Sequence, residues 1–259
     1  MKNLVYLEKD GNTAIVTLNK PDRLNAMGES MWRDLSKVFN ECDADRDLRC
    51  VIIRGAGGRA FSAGADIKEF KTTRKDKETA RSYGNLMTHA FNSVIDCRHP
   101  VIAQIDGLCV GGGMGIASCC DIRICGLSSK FGVPVKKLGL VEAHEEMRPL
   151  VEKFGANVAL EILLIGDVFP VADALRMGLI NHVVPDDQLA ATAHEYARKI
   201  ADGAPLSARW HKKFIYRLLN PEPLTDSEIE EGFDCYNTED FRAGCRAFEK
   251  KSVPEFFGR

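Results

Sequence analysis

Phe61-Ser62-Ala63-Gly64-Ala65-Asp66-Ile67 and, further along, Asp106-Gly107-Leu108-Cys109-Val110-Gly111-Gly112-Gly113 are the stretches on which the reading of this chain turns. Each is a glycine-containing turn beside an apolar strand. Glycine lets a backbone come close to a ligand and free its N–H groups. The second stretch also opens a helix, where unpaired amides and the helix dipole favour a negative oxygen. Two such loops facing each other can form a backbone oxyanion hole, although two tight packing turns would look the same in sequence. Other glycine motifs fit worse. Gly111-x-Gly113-x-x-Ile116 lacks the third glycine of a dinucleotide fingerprint. There is no GxxxxGK[ST] phosphate loop, and Ala60 stands where a GxSxG nucleophile elbow at Ser62 would need glycine.

Outward from these loops the chain alternates strand and helix. Residues 3–9 and 13–18 read as two strands around the turn signal Asp10-Gly11-Asn12. Met31, Leu35, Val38, Phe39 and Cys42 recur at helical spacing and predict a helix over 28–46. Residues 50–53 form an apolar strand. A loop follows from Phe61 to Phe70, then a helix over 78–96. Strands are expected at 101–105 and 121–124, with a small-residue helix between them. This rhythm predicts α/β architecture. From 143 the pattern turns helical (143–154, 156–164, 170–177, 186–203, 205–219, 225–235 and 238–250), interrupted by one strand at 179–184. The expected division is a core over 1–184 and a helical region over 185–259.

The 259 residues carry 35 Lys+Arg against 37 Asp+Glu, a formal net charge of −2, with 45% apolar residues. That balance excludes disorder as the dominant state and disfavours a dedicated nucleic-acid binder. No run of about 18 apolar residues predicts a membrane span. The first 30 residues lack a signal-peptide pattern, and Glu8, Asp10 and Asp22 are unlike a mitochondrial presequence. The nine cysteines form no CxxC pair, so reduced thiols in a cytoplasm are expected. The histidines at 89, 144, 182, 194 and 211 show no zinc-ligand spacing with them, so no metal is expected.

Taken together, the motifs resemble the crotonase (enoyl-CoA hydratase/isomerase) superfamily over nearly the whole chain. The resemblance rests on Leu18-Asn19-Lys20-Pro21 with Asn25-Ala26, the two glycine loops, Cys120-Asp121, Phe131-Gly132 with Leu138-Gly139, Ala174-Leu175 with Met177-Gly178-Leu179, and Phe248-Glu249-Lys250-Lys251. It implies a spiral of ββα units followed by helices that assemble homo-trimers or hexamers. It also implies a coenzyme A thioester as substrate, with no separate cofactor. By the resemblance, the thioester oxygen lies between the N–H groups of Ala65 and Gly112. Arg23 and Lys250 are the implied phosphate contacts, and Ala63, Asp66 and Ile67 lie around the adenine. Phe131 and Pro134 are expected to wall the acyl pocket.

The sequence departs from the hydratases of this family at both of their glutamates. Gly115 stands where the first is expected, two residues after Gly113, and Val135 stands after Pro134 where the second is expected. Neither can move a proton. Glu142 and His144, after Leu138-Gly139-Leu140-Val141, are the substitute acid/base candidates. A partly desolvated glutamate has a raised pKa suited to proton transfer near neutral pH. A solvated helix start is the plain alternative for both. Enoyl-CoA hydratase/isomerase chemistry with atypical acid/base residues is the expected function. A decarboxylase or hydrolase of the same superfamily, or a non-catalytic acyl-CoA-binding protein, is the alternative.

Overall fold

The computed structural model of the protein describes residues 3–259. Its elements follow the chain as β1 (Val5–Asp10), β2 (Thr13–Leu18), α1 (Glu29–Ala44), β3 (Cys50–Gly55), β4 (Ala60–Ser62), α2 (Phe70–Thr73), α3 (Lys77–Ile95), β5 (Val101–Ile105), β6 (Leu108–Val110), α4 (Gly112–Cys119), β7 (Ile122–Gly126) and β8 (Lys130–Gly132). Then come α5 (His144–Ile165), β9 (Phe169–Pro170), α6 (Val171–Arg176), β10 (His182–Val184), α7 (Leu189–Ala201), α8 (Pro205–Leu218), α9 (Asp226–Glu231) and α10 (Glu239–Lys250).

Two sheets result. The larger has the order β1-β2-β3-β5-β7-β10, parallel throughout except for the β1–β2 hairpin. The smaller has the order β4-β6-β8-β9. Each of β3, β5 and β7 is therefore followed by a short strand of the second sheet and then by a helix, which is the expected ββα repeat. The expected loop around Phe61 begins inside β4, and the glycine stretch from Asp106 contains β6. Strands of two or three residues are too short to show a two-residue period, so the second sheet leaves no trace in hydropathy.

Burial explains the layering. All six residues of β2 are buried, as a strand covered on both faces must be. One face of the larger sheet meets α1 and α3 through Met31, Trp32, Leu35, Phe39, Tyr83, Met87 and Phe91. The α3 helix starts cleanly because the Asp76 carboxylate accepts the Thr79 N–H at 2.9 Å, an N-cap that satisfies one orphan amide. The other face of the sheet carries Cys50, Ile52, Ile102 and Ile124 against Leu189, Ala193 and Ala197 of α7. The expected division at 184/185 therefore cuts through a packed unit: α7 belongs to the core, and the appended helices begin at α8. The helix over 144–165 breaks at Gly155 (φ 81°, ψ 165°), matching the two helices that the sequence predicts there. Among the described residues, no helix is long and apolar enough to cross a membrane.

Candidate active site

The two glycine loops lie against each other, and glycine is what allows it. A Cβ on Gly64, at φ +89°, would stand 2.8 Å from the Val110 carbonyl and 3.2 Å from the Gly112 nitrogen. A Cβ on Gly113 would stand 2.5 Å from the Ser62 carbonyl. The first loop is held by Asn25, which is fully buried. Its side-chain amide donates to the carbonyls of Ala56 and Ala60, at 3.0 and 2.8 Å. Ser62 donates to the Asn25 carbonyl at 2.8 Å and accepts the Gly64 N–H at 3.2 Å. The Asn25-Ala26 signature is thus a scaffold for the loop.

The amide inventory isolates two groups. In the first loop the Ala63 N–H donates to Leu24 O at 2.9 Å and the Asp66 N–H to Met27 O at 2.9 Å. In the second, the Gly111 N–H donates to Gly132 O at 2.9 Å. Gly112 is the first residue of α4, so its N–H has no acceptor within the helix. Among the described residues neither Ala65 N–H nor Gly112 N–H donates to any other group. The two loops open on one cavity of about 100 Å³ whose wall includes Ala65, Arg74, Gly112, Pro134, Val135 and Glu142.

Behind Gly112 stands an aromatic wall. The Trp32 indole N–H donates to Tyr83 OH at 2.8 Å, and Tyr83 OH donates to Met27 O at 3.1 Å. Phe91 meets Trp32 edge-on with centroids 5.6 Å apart. Phe91, Gly112, Gly115, Glu142 and Glu146 share a second, narrower space of about 20 Å³. Glu142 therefore bridges the two spaces. Burial pushes its carboxyl up to about 7, with the Glu146 charge and a hydrogen bond to Glu146 adding to the effect, while Arg74 works against it. Glu146 is fixed in turn by the Ala143 N–H, which donates to its Oε2 at 3.2 Å.

The remaining candidates divide by position. Ala63, Ile67 and Pro134 line the larger space. Asp66 is tied to Lys20 at 2.9 Å and to the Lys68 N–H at 3.1 Å; the Lys20 hydrogen bond holds its carboxyl below the usual range. Arg23 is exposed nearby. Phe131 departs from expectation. It is fully buried and packs on Phe169 with centroids 6.4 Å apart, so it supports the second sheet and does not wall the cavity. His144 also departs: it begins α5, is exposed, and lines neither space. Lys250 ends α10, exposed and away from the cavity wall. Sequence reasoning missed Arg74, Phe91 and Glu146. Phe91 reads as one more core position of α3, and the other two lie in charged stretches that look like solvated surface. A wider groove of about 670 Å³ between α8 and the core shares no residue with the glycine loops, so it does not compete for this role.

The enoyl-CoA hydratase/isomerase family model matches residues 8–259. The chain belongs to that family. It is 35% identical to the short-chain-enoyl-CoA hydratase of Clostridium acetobutylicum, with 99% of each chain covered. In structure it is similar to an enoyl-CoA hydratase/carnithine racemase from Magnetospirillum magneticum, with a TM-score of 0.98 and 44% identity over 100% of this chain and 97% of the other. A family protein from Hyphomonas neptunium gives a TM-score of 0.94 at 33% identity, over 99% and 98%. The crotonase fold and an enzyme of the hydratase/isomerase type follow. Gly115 lies on α4 and Val135 on the cavity wall, and neither side chain can move a proton.

Proposed function

We propose that the chain is an acyl-CoA enzyme that holds the thioester carbonyl oxygen between the N–H groups of Ala65 and Gly112 and moves a proton at the neighbouring carbons with Glu142. The observation that carries this reading is the meeting of two unengaged amides and one carboxyl of raised pKa on a single cavity wall. Enolate formation puts negative charge on the thioester oxygen. Fixed donors there are worth about 10²–10³ in rate each. A carboxyl near 7 holds or gives a proton at neutral pH with similar ease. Double-bond isomerisation or hydration of an enoyl thioester is the chemistry these groups suit. Coenzyme A enters as part of the substrate, and no other cofactor is needed for such a step.

Arg23, exposed beside the first loop, would meet phosphate charge, and Ala63, Asp66 and Ile67 would lie around the adenine. Lys250 would serve only across a subunit boundary. Trimer or hexamer assembly is supported by apolar side chains left in solvent on the last helices and tail: Leu218 is 67% exposed, Phe248 88% and Val253 94%, more than a lone protomer usually leaves uncovered. Seven of the nine free cysteines are buried, in keeping with a reducing cytoplasm.

The test is α-proton exchange of butyryl-CoA in deuterium oxide, followed by NMR, beside turnover of crotonyl-, 3-enoyl- and malonyl-type CoA esters. Exchange together with turnover of an enoyl ester is expected. Tight binding with neither exchange nor turnover of any ester would leave a binding protein in place of an enzyme.

A further inference from the structure

Arg74 is a cation without a counter-ion on the wall of the acyl cavity. It follows α2, and its side chain lies over the rings of Phe70 and Tyr83, with Cζ 4.9 Å from each centroid. The aromatic contacts stabilise the faces of the guanidinium and offer nothing to its in-plane N–H donors. Its Nε is buried and has no hydrogen-bond partner. Among the described residues, no carboxylate oxygen lies within 4.0 Å of its nitrogens. A guanidinium cannot shed its proton, so a buried N–H left without a partner, as at Nε, is costly unless a ligand completes it.

Two carboxyls stand close enough to be considered as the missing partner. Glu142 shares the cavity with Arg74 but makes no ion pair with it, and the Glu146 charge beside it opposes its ionisation. Glu69 accepts the Glu29 N–H at 2.9 Å and so caps α1. Neither answers Arg74. The cavity that Arg74 lines also holds Ala65, Gly112 and Glu142, whereas Arg23 and Lys68 are exposed on the outer side of the first loop. The phosphates of coenzyme A have those outer cations to meet.

We propose that Arg74 receives a carboxylate carried by the acyl group itself, so that the preferred substrate is a carboxyacyl-CoA thioester. The proposal rests on the acyl-CoA reading above and adds the substrate class. A carboxylate matches the planar fork of arginine with two parallel N–H···O bonds, which a neutral acyl tail cannot do. A site built around such a donor discriminates strongly against ligands that leave it unpaired.

Calorimetry tests this with the intact protein, comparing succinyl- and glutaryl-CoA with butyryl- and valeryl-CoA, in the wild type and in Arg74→Met. At least one carboxylated ester is expected to bind the wild type roughly 10-fold tighter than its uncarboxylated counterpart. Arg74→Met is expected to weaken that ester by roughly 10²-fold while the uncarboxylated one changes less than about threefold. Equal affinities for the two series in the wild type would overturn the proposal, and this comparison needs no variant to fold. Equal weakening of both series in Arg74→Met would also overturn it and would make Arg74 a contact for the common coenzyme A portion. If no ester and no free coenzyme A binds, the acyl-CoA reading itself falls, and the proposal with it.

Discussion

Phe91 occupies the space that a side chain at position 115 would need. A Cβ on Gly115 would stand 2.4 Å from Cζ of the Phe91 ring, with both Cε atoms at 3.1–3.2 Å. Phe91 cannot retreat freely, because it is buried and rests edge-on against Trp32. The bare glycine at position 115 and the phenylalanine on α3 are therefore one coupled feature.

Placing a glutamate at position 115 should accordingly disturb the fold. Gly115→Glu is expected to lower stability by about 1–3 kcal/mol through overpacking, and more if its carboxylate is left unpaired, with no gain in hydration of crotonyl-CoA. Phe91→Ala removes the clash, so the double variant is expected to lose less stability than the sum of the two single losses. Chemical denaturation of the three variants measures the coupling. Additive losses in the double variant would show that the two positions act independently.

Gly112 separates steric from electrostatic effects. A Cβ there would stand 3.0 Å from Cζ2 of Trp32, so any substitution presses on the indole. Gly112→Ala keeps the N–H and carries that pressure; Gly112→Pro carries it and removes the N–H. Proline is tolerated at the first position of a helix. Turnover of Gly112→Pro is expected to fall about 10²-fold or more below that of Gly112→Ala. Equal rates in the two folded variants would remove the Gly112 amide from the mechanism.

Much of this architecture was legible in the sequence because long elements carry a period. The faces of α1 and α3 and the strands β2, β3 and β5 emerge where alternation or helical spacing predicts them, and the break at Gly155 separates the two helices expected there. What escaped lacks a period. β4, β6, β8 and β9 are too short, and they form the second sheet on which the glycine loops are hung. Glu142 was visible as a carboxyl in an apolar context. Glu146 and Arg74 were not, since charged stretches look alike whether they face solvent or one another. Phe131 follows an exposed residue on β8 and turns to the core, a choice that three residues of sequence do not announce.

Asp121 anchors the appended helices to the core. Its Oδ2 accepts the Val101 N–H at 2.7 Å and Lys212 Nζ at 3.0 Å, and its Oδ1 accepts Tyr216 OH at 3.0 Å. Lys153 donates to the same tyrosine oxygen at 2.7 Å. The Lys212 side chain is only 8% exposed, so removing its carboxylate strands a buried charge. Asp121→Ala is expected to cost about 3 kcal/mol, read as a lower urea midpoint with an unchanged slope. A loss below about 1 kcal/mol would mean that water replaces the carboxylate and that α8 is held by other contacts.

Glu142 gives the pH dependence a definite sign. Burial and the neighbouring Glu146 raise its pKa from 4.5 to about 7 in the folded protein. The folded state therefore binds this proton more tightly than the unfolded chain does. The resulting stability is fully present below about 4.5 and is lost as the pH rises through about 7. Thermal denaturation should show a decline across that window that Glu142→Gln abolishes. The same titration should govern activity. A step in which Glu142 gives a proton requires the neutral acid, so its rate falls above about 7, whereas a step in which Glu142 takes a proton gains over the same range. Glu142→Gln is expected to lower turnover by about 10²-fold or more, leave coenzyme A affinity nearly unchanged, and remove that limb from the rate profile. A limb near 7 that survives in Glu142→Gln would assign the proton transfer to another group.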